Sequence, residues 1–536
     1  MTSGDSSNPS GEALSPAGTE PILLDNHFPR RRQYKSYRRS TIYRVESTNP
    51  DGEALSSAET AEILTEKHYR RINKKQNRMD NKKTISRRDF LKIVGITTAT
   101  AATATVTGCT PGSQKEFSTP GEMTYRTDPK TGDRISLLGF GCMRFPVVPS
   151  PEGHGDMIDS DAVNRMIDYA IAHGVNYFDT APAYSEGWSE KVTGNALKRY
   201  PREKFYVATK LSNFGDTSRE GSIRLFEESF KSLQVDYIDY YMLHSVGQGN
   251  SMRRFEERFI DNGMIDFLME QREKGRIRHF GFSFHGPQEL FDRLMAMHDE
   301  VHWDFVQIQM NYSDWRYPTE SFGIPNVKAE YLYSELEKRG IPATVMEPLL
   351  GGRLSNVPQQ IAVRLKQQRP ENSVASWAFR FAGTPKGVLT VLSGMTFMEH
   401  LQDNLRTFSP LEPLTAQDMD FLDETARLMR QYPTIPCNDC KYCMPCPYGL
   451  NIPAILIHYN KCVNEDKIME SRLDENYKRA RREFLVGYDR SVPRLRQASH
   501  CIGCRECVAH CPQGIDIPTE LHRIDAYVEH LKQDTL

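Results

Sequence analysis

Eight short apolar runs, each followed by a helical pattern, constrain the fold of the middle of the chain more than any other feature. Most of the runs begin about 30–45 residues apart, which suits a strand with a return helix. The runs are Ile135–Phe140, Val175–Phe178, Phe205–Thr209, Tyr237–Leu243, Ile277–Phe282, Phe305–Gln309, Pro342–Met346 and Val388–Leu392. Eight such units predict an α/β fold, a (β/α)8 TIM barrel, over residues 123–430. The alternative is an open doubly wound sheet, but no Gly-x-Gly-x-x-Gly opens a helix.

The stretch between the first two predicted strands shows the helical half of this pattern. Its apolar residues recur at helical spacing, which predicts a helix over Asp161–His173. These apolar positions are Val163, Met166, Ile167, Ala170 and Ile171. Gly174 follows directly, where a glycine often ends a helix by adopting a left-handed backbone conformation.

Three polar residues directly follow the second, third and fourth predicted strands. They are Asp179, Lys210 and His244, and Tyr184 lies five positions after Asp179, past a proline. A carboxylate at the tip of a buried strand needs a cationic partner, and Lys210 can supply one. Barrel enzymes carry their chemistry at the carboxyl ends of strands, and neighbouring strands are roughly 5 Å apart. We therefore expect these side chains to meet in one site.

These four residue types can together protonate a carbonyl oxygen. A tyrosine has a pKa near 10, and a nearby ammonium lowers that pKa. Lys210 is expected to act in this way on Tyr184, while Asp179 keeps Lys210 charged and in place. His244 is expected to orient a substrate carbonyl, so that Tyr184 protonates its oxygen as hydride arrives at carbon. Each residue alone has an ordinary structural explanation, but their order and spacing favour the catalytic one.

Taken together, Asp179, Tyr184, Lys210 and His244 resemble the catalytic tetrad of the aldo-keto reductases. The resemblance implies an oxidoreductase that uses NADP or NAD to reduce a small carbonyl compound or to oxidise the corresponding alcohol. The alternative interpretation is an electron-transfer protein whose barrel binds a partner or a ligand without hydride chemistry. A third is a surface lipoprotein that binds a sugar or quinone without turning it over.

The same resemblance implies where the dinucleotide binds. Gly141 and Met143 lie in a stretch similar to the family's first loop, and Ser283 in one similar to its fifth strand. The other positions implied to contact the dinucleotide are Gln307, Pro348, Leu349, Gly394, Asp403 and Asn404.

Several of these positions depart from the family's pattern. Phe284 replaces the asparagine that follows the serine, and Met346 stands where many members stack a tyrosine on the nicotinamide. Gly394 and His400 occupy the positions that grip a 2′-phosphate in many members. Both NADP and NAD therefore stay open as the cofactor.

Eight of the eleven cysteines form two dense arrays near the C-terminus. The arrays are Cys437, Cys440, Cys443 and Cys446, followed by Pro447, and Cys501, Cys504, Cys507 and Cys511, followed by Pro512. A 4Fe–4S cluster needs four thiolates. Zinc is the alternative, although zinc sites favour paired Cys-x2-Cys units. The arrays predict two 4Fe–4S clusters within a helix-rich domain of residues 431–536.

The arrays resemble those of two-cluster bacterial-type ferredoxins, in which the last cysteine of each array binds the other cluster. This resemblance implies two ligand sets. They are Cys437, Cys440, Cys443 and Cys511, and Cys501, Cys504, Cys507 and Cys446. The first array departs from the second in being one residue shorter before its last cysteine.

The two predicted halves handle electrons differently. A nicotinamide transfers two electrons as hydride, whereas each cluster transfers one. A flavin commonly mediates between such centres, but the sequence shows no flavin fingerprint. The clusters are therefore expected to serve an unidentified electron donor or acceptor, to be structural, or to communicate with the barrel through a flavin.

The first 122 residues have a different character from the rest. Residues 1–78 read as a disordered or mis-started extension, because they lack apolar periodicity. Residues 79–109 resemble a twin-arginine export signal, with Arg87 and Arg88 before an apolar run, and end in a lipobox-like Cys109. Residues 110–122 read as a tether.

The expected location is periplasmic or membrane-anchored through lipidated Cys109, or cytoplasmic if the signal is unused. The net charge of −2 favours no nucleic-acid partner.

Overall fold

A computed structural model describes residues 121–150, 156–247, 251–317, 320–321, 324–325, 327–469 and 471–533. The predicted extension, the twin-arginine signal, Cys109 and nearly all of the tether lie outside these residues. Among the helices that are described, none combines the length and apolar character needed to cross a membrane.

Eight parallel strands close into a barrel, as predicted. In chain order, β1 to β8 are Leu138–Gly141, Tyr177–Asp179, Tyr206–Leu211, Ile238–Val246, Ile277–Phe284, Phe305–Gln309, Ala343–Met346 and Val388–Gly394. Each strand pairs with the next one along the chain, and β8 pairs with β1 to close the ring. Three two-stranded pairs lie outside the barrel: Tyr125–Thr127 with Arg134–Ser136, Val147–Pro149 with Asp156–Ile158, and Glu320–Ser321 with Ile324–Pro325.

The first predicted strand, Ile135–Phe140, is two strands in the structure. Arg134–Ser136 pairs antiparallel with Tyr125–Thr127 ahead of the barrel, and β1 begins only at Leu138. The backbone N–H of Ser136 donates to Asn176 Oδ1 at 2.7 Å. This bond to a side chain lies at the break between Arg134–Ser136 and β1. The remaining predicted strands differ from the observed ones by at most three residues at either end.

Helices surround the barrel and continue beyond it. In chain order, α1 to α15 are Ser160–Ala172, Trp188–Leu197, Arg219–Leu233, Met252–Phe255, Met264–Glu273, Gln288–Ala296, His298–Val301, Ala329–Lys338, Gln359–Gln368, Val374–Gly383, Met398–Phe408, Ala416–Met429, Ile452–Asn464, Tyr477–Ser491 and Ile517–Gln533. Shorter helical turns are Cys142–Arg144, Tyr184–Gly187, Arg202–Lys204, Glu256–Ile260, Leu350–Gly352, Arg494–Arg496 and Ala498–His500.

The predicted first helix is confirmed with a shift of one residue. Asp159 precedes α1, and its carboxylate accepts the N–H of Ala162 at 2.9 Å. Gly174 follows the helix with φ of +89°, a conformation that favours glycine. A Cβ at Gly174 would also lie 2.7 Å from the hydroxyl oxygen of Tyr125.

The interior of the barrel explains why particular polar residues reach its carboxyl end. Alternate residues of a strand face the same side. Tyr177 on β2, Ala208 on β3 and Tyr240 on β4 belong to one buried interior cluster. Asp179 and Lys210 lie two positions further along β2 and β3, and therefore face the same interior one layer higher. His244 has the same relation to the interior residue Met242 on β4.

The cysteine region forms its own small core. Helices α13, α14 and α15 pack together around buried residues that include Leu456, Phe484 and Ile524. Between the end of α12 at Met429 and the start of α13 at Ile452, all of it described, the chain forms neither helix nor strand. The barrel and this region belong to one compact unit. The predicted helix-rich C-terminal part is therefore confirmed.

Candidate active site

Asp179 and Lys210 form a buried ion pair at the carboxyl end of the barrel. Lys210 Nζ donates to Asp179 Oδ1 at 2.5 Å and to the carbonyl oxygen of Thr180 at 2.8 Å. The other carboxylate oxygen accepts Gln307 Nε2 at 3.1 Å. The side chain of Lys210 is 1% exposed and that of Asp179 is 4% exposed. Two partners on each charged group offset the cost of removing them from water.

Tyr184 completes this group from the turn after β2. Lys210 Nζ lies 4.9 Å from the centroid of the Tyr184 ring. The ring of His244 lies edge-on to it, with 5.7 Å between centroids. The turn requires positive φ at Ser185 and Glu186, which bends the chain back over the barrel mouth. The structure thus brings together all four side chains that the sequence singles out.

The prediction for the pKa of Tyr184 is wrong in direction. Burial raises this pKa well above its ordinary value, and the negative charges of Asp179 and Glu347 add to the effect. The ammonium of Lys210 donates to Asp179 and to the backbone, and its charge does not offset the effect of burial on this pKa. Sequence reasoning named the charges near Tyr184 but could not weigh its desolvation.

His244 is neutral at physiological pH. Burial lowers its pKa well below the ordinary value, and the charges of Lys210 and Arg258 lower it further. His244 Nδ1 lies 2.6 Å from Ser212 Oγ. When Ser212 donates to Nδ1, the single proton of the neutral ring is on Nε2. Ser212 was missed from the sequence, although it lies two positions after Lys210 and hence on the same face of the chain.

A cavity of about 680 Å³ opens above these residues. Asp179, Tyr184 and His244 line it, while Lys210 lies beneath its wall. Every position implied to contact a dinucleotide also lines this one cavity: Gly141, Met143, Ser283, Gln307, Pro348, Leu349, Gly394, Asp403 and Asn404. The substituted positions Met346 and His400 line it as well, whereas Phe284 is buried outside its wall.

Four of these positions already have side-chain partners in the protein. Gln307 donates to Asp179, and Asp403 accepts Arg406. Ser283 Oγ accepts the N–H of Ser245 at 2.7 Å and donates to the carbonyl oxygen of Leu243 at 3.4 Å. Asn404 Nδ2 donates to Ser393 Oγ at 2.9 Å, which holds the amide at the cavity wall. These bonds fix the side chains before any ligand binds.

The cysteines group in a way that fits the implied crossed ligation. Cys511 lies near enough to Cys437, Cys440 and Cys443 to influence their ionisation, and Cys446 lies near enough to Cys507 to do the same. Burial raises the pKa of Cys437 to about 11 and that of Cys507 to about 12. Thiols in this setting need bound iron to become thiolates. Among the described residues, no three His, Cys, Asp or Glu side chains are placed to hold a single metal ion.

Parts of both cysteine arrays form a wall of the same cavity. Asn438, Cys440 and Tyr442 of the first array, and Pro512 directly after the second, line it together with Asp179, Tyr184 and His244. Sequence analysis did not find these residues as part of the barrel site. No local signal could have found them, because more than 200 residues separate them from Asp179.

Comparison with family models gives two matches. Residues 137–427 match the aldo/keto reductase family, and residues 436–515 match a 4Fe-4S dicluster domain. The second match agrees with the predicted clusters rather than with zinc. Neither match bears on a twin-arginine signal, on a flavin or on a membrane anchor.

Curated relatives and solved structures are similar to the barrel part of the chain. L-galactose dehydrogenase of Arabidopsis thaliana is 26% identical over 322 residues, 56% of this chain and 92% of that protein. A Glycine max protein named as aldo-keto reductase 1 is 30% identical over 202 residues, 36% of this chain but only 53% of its own length. A Klebsiella pneumoniae aldo-keto reductase in complex with NADPH is 20% identical, with a TM-score of 0.44, over 59% of this chain and 98% of its own.

The family match spans more than half of the 536 residues and contains all four residues of the buried cluster. Oxidoreductases recur among the relatives. This protein is an oxidoreductase of the aldo/keto reductase family, with a 4Fe-4S dicluster domain after its barrel.

Proposed function

We propose that this protein reduces a small carbonyl compound, or oxidises the corresponding alcohol, with NADP or NAD. One observation carries the proposal. The Asp179–Lys210 ion pair lies directly under a cavity that Tyr184, His244 and all nine implied dinucleotide positions line. A cavity of this volume is within the range that small-molecule and cofactor sites occupy, about 300–1,000 Å³.

The chemistry follows from the protonation states of the site. When bound, the nicotinamide supplies or accepts the hydride. Tyr184 keeps its proton at neutral pH, because burial raises its pKa, and so it can donate that proton to the carbonyl oxygen. Neutral His244 can donate a hydrogen bond from Nε2 to the same oxygen. Lys210 lies beside the ring of Tyr184, where its charge favours the phenolate left after proton transfer.

Replacing Tyr184 tests this function. Tyr184→Phe removes the proton donor, and we expect kcat to fall by about 10²–10⁴-fold, the contribution of a positioned acid. The dissociation constant of the dinucleotide, measured by fluorescence titration, should change less than about twofold, because the ring stays in place. Tyr169→Phe on α1, on the outside of the barrel, is the matched control and should leave kcat unchanged. Full turnover by Tyr184→Phe would instead favour a barrel that only binds ligands.

A second function, electron exchange between the cavity and the clusters, is favoured by a separate observation. Cys440 and Pro512, which follows Cys511, both line the cavity, and both cysteines belong to the ligand set of one implied cluster. The cluster held there would be adjacent to any bound dinucleotide or substrate. Cys504, implied to bind the other cluster, is exposed. This order suits a path from the cavity through two clusters to an external electron donor or acceptor.

Anaerobic addition of NADPH or NADH tests that second function. If the centres communicate, the cluster absorbance should bleach, either directly or only after free flavin is added. The comparison with and without flavin shows whether a two-electron to one-electron mediator is needed. Unbleached clusters in an enzyme that still reduces carbonyls would make the clusters structural or dedicated to another partner.

We also propose export by the twin-arginine route, with Cys109 as a lipid anchor. The motif around Arg87 and Arg88 and the small-residue run before Cys109 support it. Fractionation of cells producing the full chain should find it in the envelope, and an Arg87→Lys, Arg88→Lys variant should remain in the cytoplasm. Equal distribution of both proteins would contradict export by this route.

A further inference from the structure

The first cysteine array is fastened to the barrel at the edge of the active-site cavity. Arg144, in the turn after β1, donates to the carbonyl oxygen of Asn438 at 2.5 Å and to Asp439 Oδ2 at 3.2 Å. The backbone carbonyl of Arg144 in turn accepts the hydroxyl of Thr396 at 3.0 Å. One guanidinium therefore joins the array to the loops that surround the cavity.

A close backbone contact holds the same residue of the array, Asn438. Gly351, in the turn after β7, has φ of +64°, and a Cβ there would lie 2.0 Å from the carbonyl oxygen of Asn438. Only glycine allows this approach. Because Arg144 and Gly351 both contact Asn438, this part of the array has little freedom to move relative to the barrel.

Tyr442 extends from this array toward the tetrad. Its ring centroid lies 6.3 Å from that of Phe214, which lies 5.1 Å from the ring of His244. The ring of His244 is 5.7 Å from that of Tyr184. Four rings thus form a continuous row that begins at the proton donor and ends in the cysteine array. The guanidinium of Arg258 lies 4.5 Å from the centroid of Phe214 and holds that ring in place.

The position of the row decides which part of a substrate it can contact. Tyr184 and His244 are at the end where the carbonyl oxygen would be bound. Tyr442 lines the same cavity and stands at the other end of the row, with two rings between it and Tyr184. A substrate whose carbonyl lies between Tyr184 and His244 can therefore place the rest of its structure against the ring of Tyr442. Ring faces stack on aromatic and alicyclic groups, and such pairs contribute beyond the area they bury.

We infer that Tyr442 is a specificity-determining residue for the reductase site, and that the site favours carbonyl compounds bearing a ring over open-chain ones. The inference rests on the proposed function, because it needs a carbonyl held between Tyr184 and His244. Tyr442 lies between Cys440 and Cys443, so the substrate end of the cavity is complete only when the first array is in place. The iron–sulfur region thereby supplies part of the substrate site of the barrel.

The test compares two substrates within each preparation. The ratio of kcat/KM for benzaldehyde to kcat/KM for propanal does not depend on the fraction of active enzyme. In Tyr442→Ala this ratio should fall about tenfold, mainly through KM for benzaldehyde, because the stacking surface is lost. Tyr442→Phe, which keeps the ring, should stay within about twofold of the natural protein. Phe214→Ala should shift the ratio in the same direction.

Matched controls separate this effect from damage to the array. Tyr448 follows the same array but is 48% exposed and lies outside the cavity wall, so Tyr448→Ala should leave the ratio unchanged. Iron and sulfide content, and the dissociation constant of the dinucleotide, should be equal in Tyr442→Ala and the natural protein. Removing the clusters with a chelator should lower the ratio toward that of Tyr442→Ala.

The outcomes distinguish this inference from the proposed function. An unchanged ratio in Tyr442→Ala, in protein that turns over both aldehydes, would overturn the inference alone. An equal loss in Tyr442→Phe would overturn it too, because the ring would then not be what matters. If the natural protein turned over neither aldehyde with NADPH or NADH, the proposed function itself would fail.

Discussion

The barrel site and the cysteine arrays differ in what holds their functional groups in place. In the barrel, Asp179 and Lys210 bond to each other, and Gln307 and Thr180 take up their remaining contacts. This arrangement is complete in the protein alone. In the C-terminal region, eight thiols lie on loops around a small core and share no such bonds with one another that the described residues show. Their common partner is a group that the chain itself does not supply.

The difference has a physical origin in the local structure. The barrel residues stand on strands whose register is set by pairing and by interior packing, so their directions are fixed by the fold. The first array instead occupies a stretch without helix or strand, residues 430–451. A site on strands can form before its ligand, whereas a site on such loops gains its order from the ligand. Three predictions test how far this contrast holds.

The largest effect is expected from removing both clusters. The double variant Cys437→Ala, Cys501→Ala takes one ligand from each implied set. Because ligand binding contributes folding free energy, residues 431–533 should become at least about 100-fold more sensitive to limited proteolysis, while the barrel stays intact. Mass spectrometry of the fragments and iron analysis measure both outcomes.

The control for this variant is another cysteine of the same region. Cys462 is buried in the core formed by α13 to α15 and belongs to neither array. Cys462→Ala should keep full iron content and cost only about 1–2 kcal/mol, as a small cavity does. If the barrel were digested as fast as the arrays in the double variant, the two regions would depend on the clusters equally, and the contrast would be wrong.

The next effect concerns a buried acid in the barrel. Glu190 on α2 accepts the hydroxyl of Thr209 at 2.5 Å, and burial raises its pKa from 4.5 to about 7. The folded protein therefore binds this proton more tightly than the unfolded chain between these two pH values. Stability contributed by the protonated form is present at low pH and is lost as the pH rises from about 4.5 through 7. The full loss is about 3 kcal/mol above pH 7, at 1.36 kcal/mol per pH unit.

Glu190→Gln should remove this part of the pH dependence. Relative to the natural protein, the variant should gain stability at pH 8 and little or none at pH 4.5, measured by urea unfolding. Glu203→Gln, in the exposed turn Arg202–Lys204, is the matched control and should shift neither curve. If the free energy of unfolding of Glu190→Gln and of the natural protein changed with pH in parallel, burial would not raise the pKa of Glu190, and this prediction would be wrong.

The smallest effect is expected where the two regions touch. Gly351→Ala and Gly340→Ala both place a Cβ at positive φ, +64° and +62° respectively. Nothing lies within 4 Å of the added carbon at Gly340, so that variant costs only backbone strain, about 1–2 kcal/mol. At Gly351 the carbon meets Asn438, and we expect a further loss of about 1 kcal/mol as the array shifts.

Unfolding by urea and proteolysis of residues 431–451 compare these two variants. Gly351→Ala should expose this stretch to protease under native conditions, and Gly340→Ala should not. If the two variants had the same stability and the same protease sensitivity, the array could shift away from the added Cβ without loss of free energy. The contact at Asn438 would then not position the array.

Sequence patterns predict the barrel well because its periodicities are local. Alternation within strands and helical spacing between them depend on neighbours a few residues away. Once the strands are located in this way, the positions of their carboxyl ends are known too. The same alternation could have added Ser212, two positions beyond Lys210. The direction in which the pKa of Tyr184 shifts could not be predicted, because it depends on burial of the ring and on the charge of residues as distant in sequence as Glu347.

The contact between the regions was beyond sequence reasoning for a different reason. Asn438 and Tyr442 read as loop residues between cysteines, and their spacing is explained by cluster ligation alone. Their second role arises from the docking of one folded region on the other. Nothing in either pattern encodes that docking, although Arg144 and Gly351 make it specific.

The contacts of Arg144 and Gly351 with the first array have a consequence for truncated forms of the protein. A protein ending near residue 430 would leave the guanidinium of Arg144 without its two acceptors and would remove Asn438, Cys440, Tyr442 and Pro512 from the cavity wall. Water would then reach Tyr184 and His244 from that side, and both side chains would lie in a medium of higher dielectric constant. The barrel and the iron–sulfur region therefore cannot be treated as separable domains, because both contribute residues to the wall of one cavity.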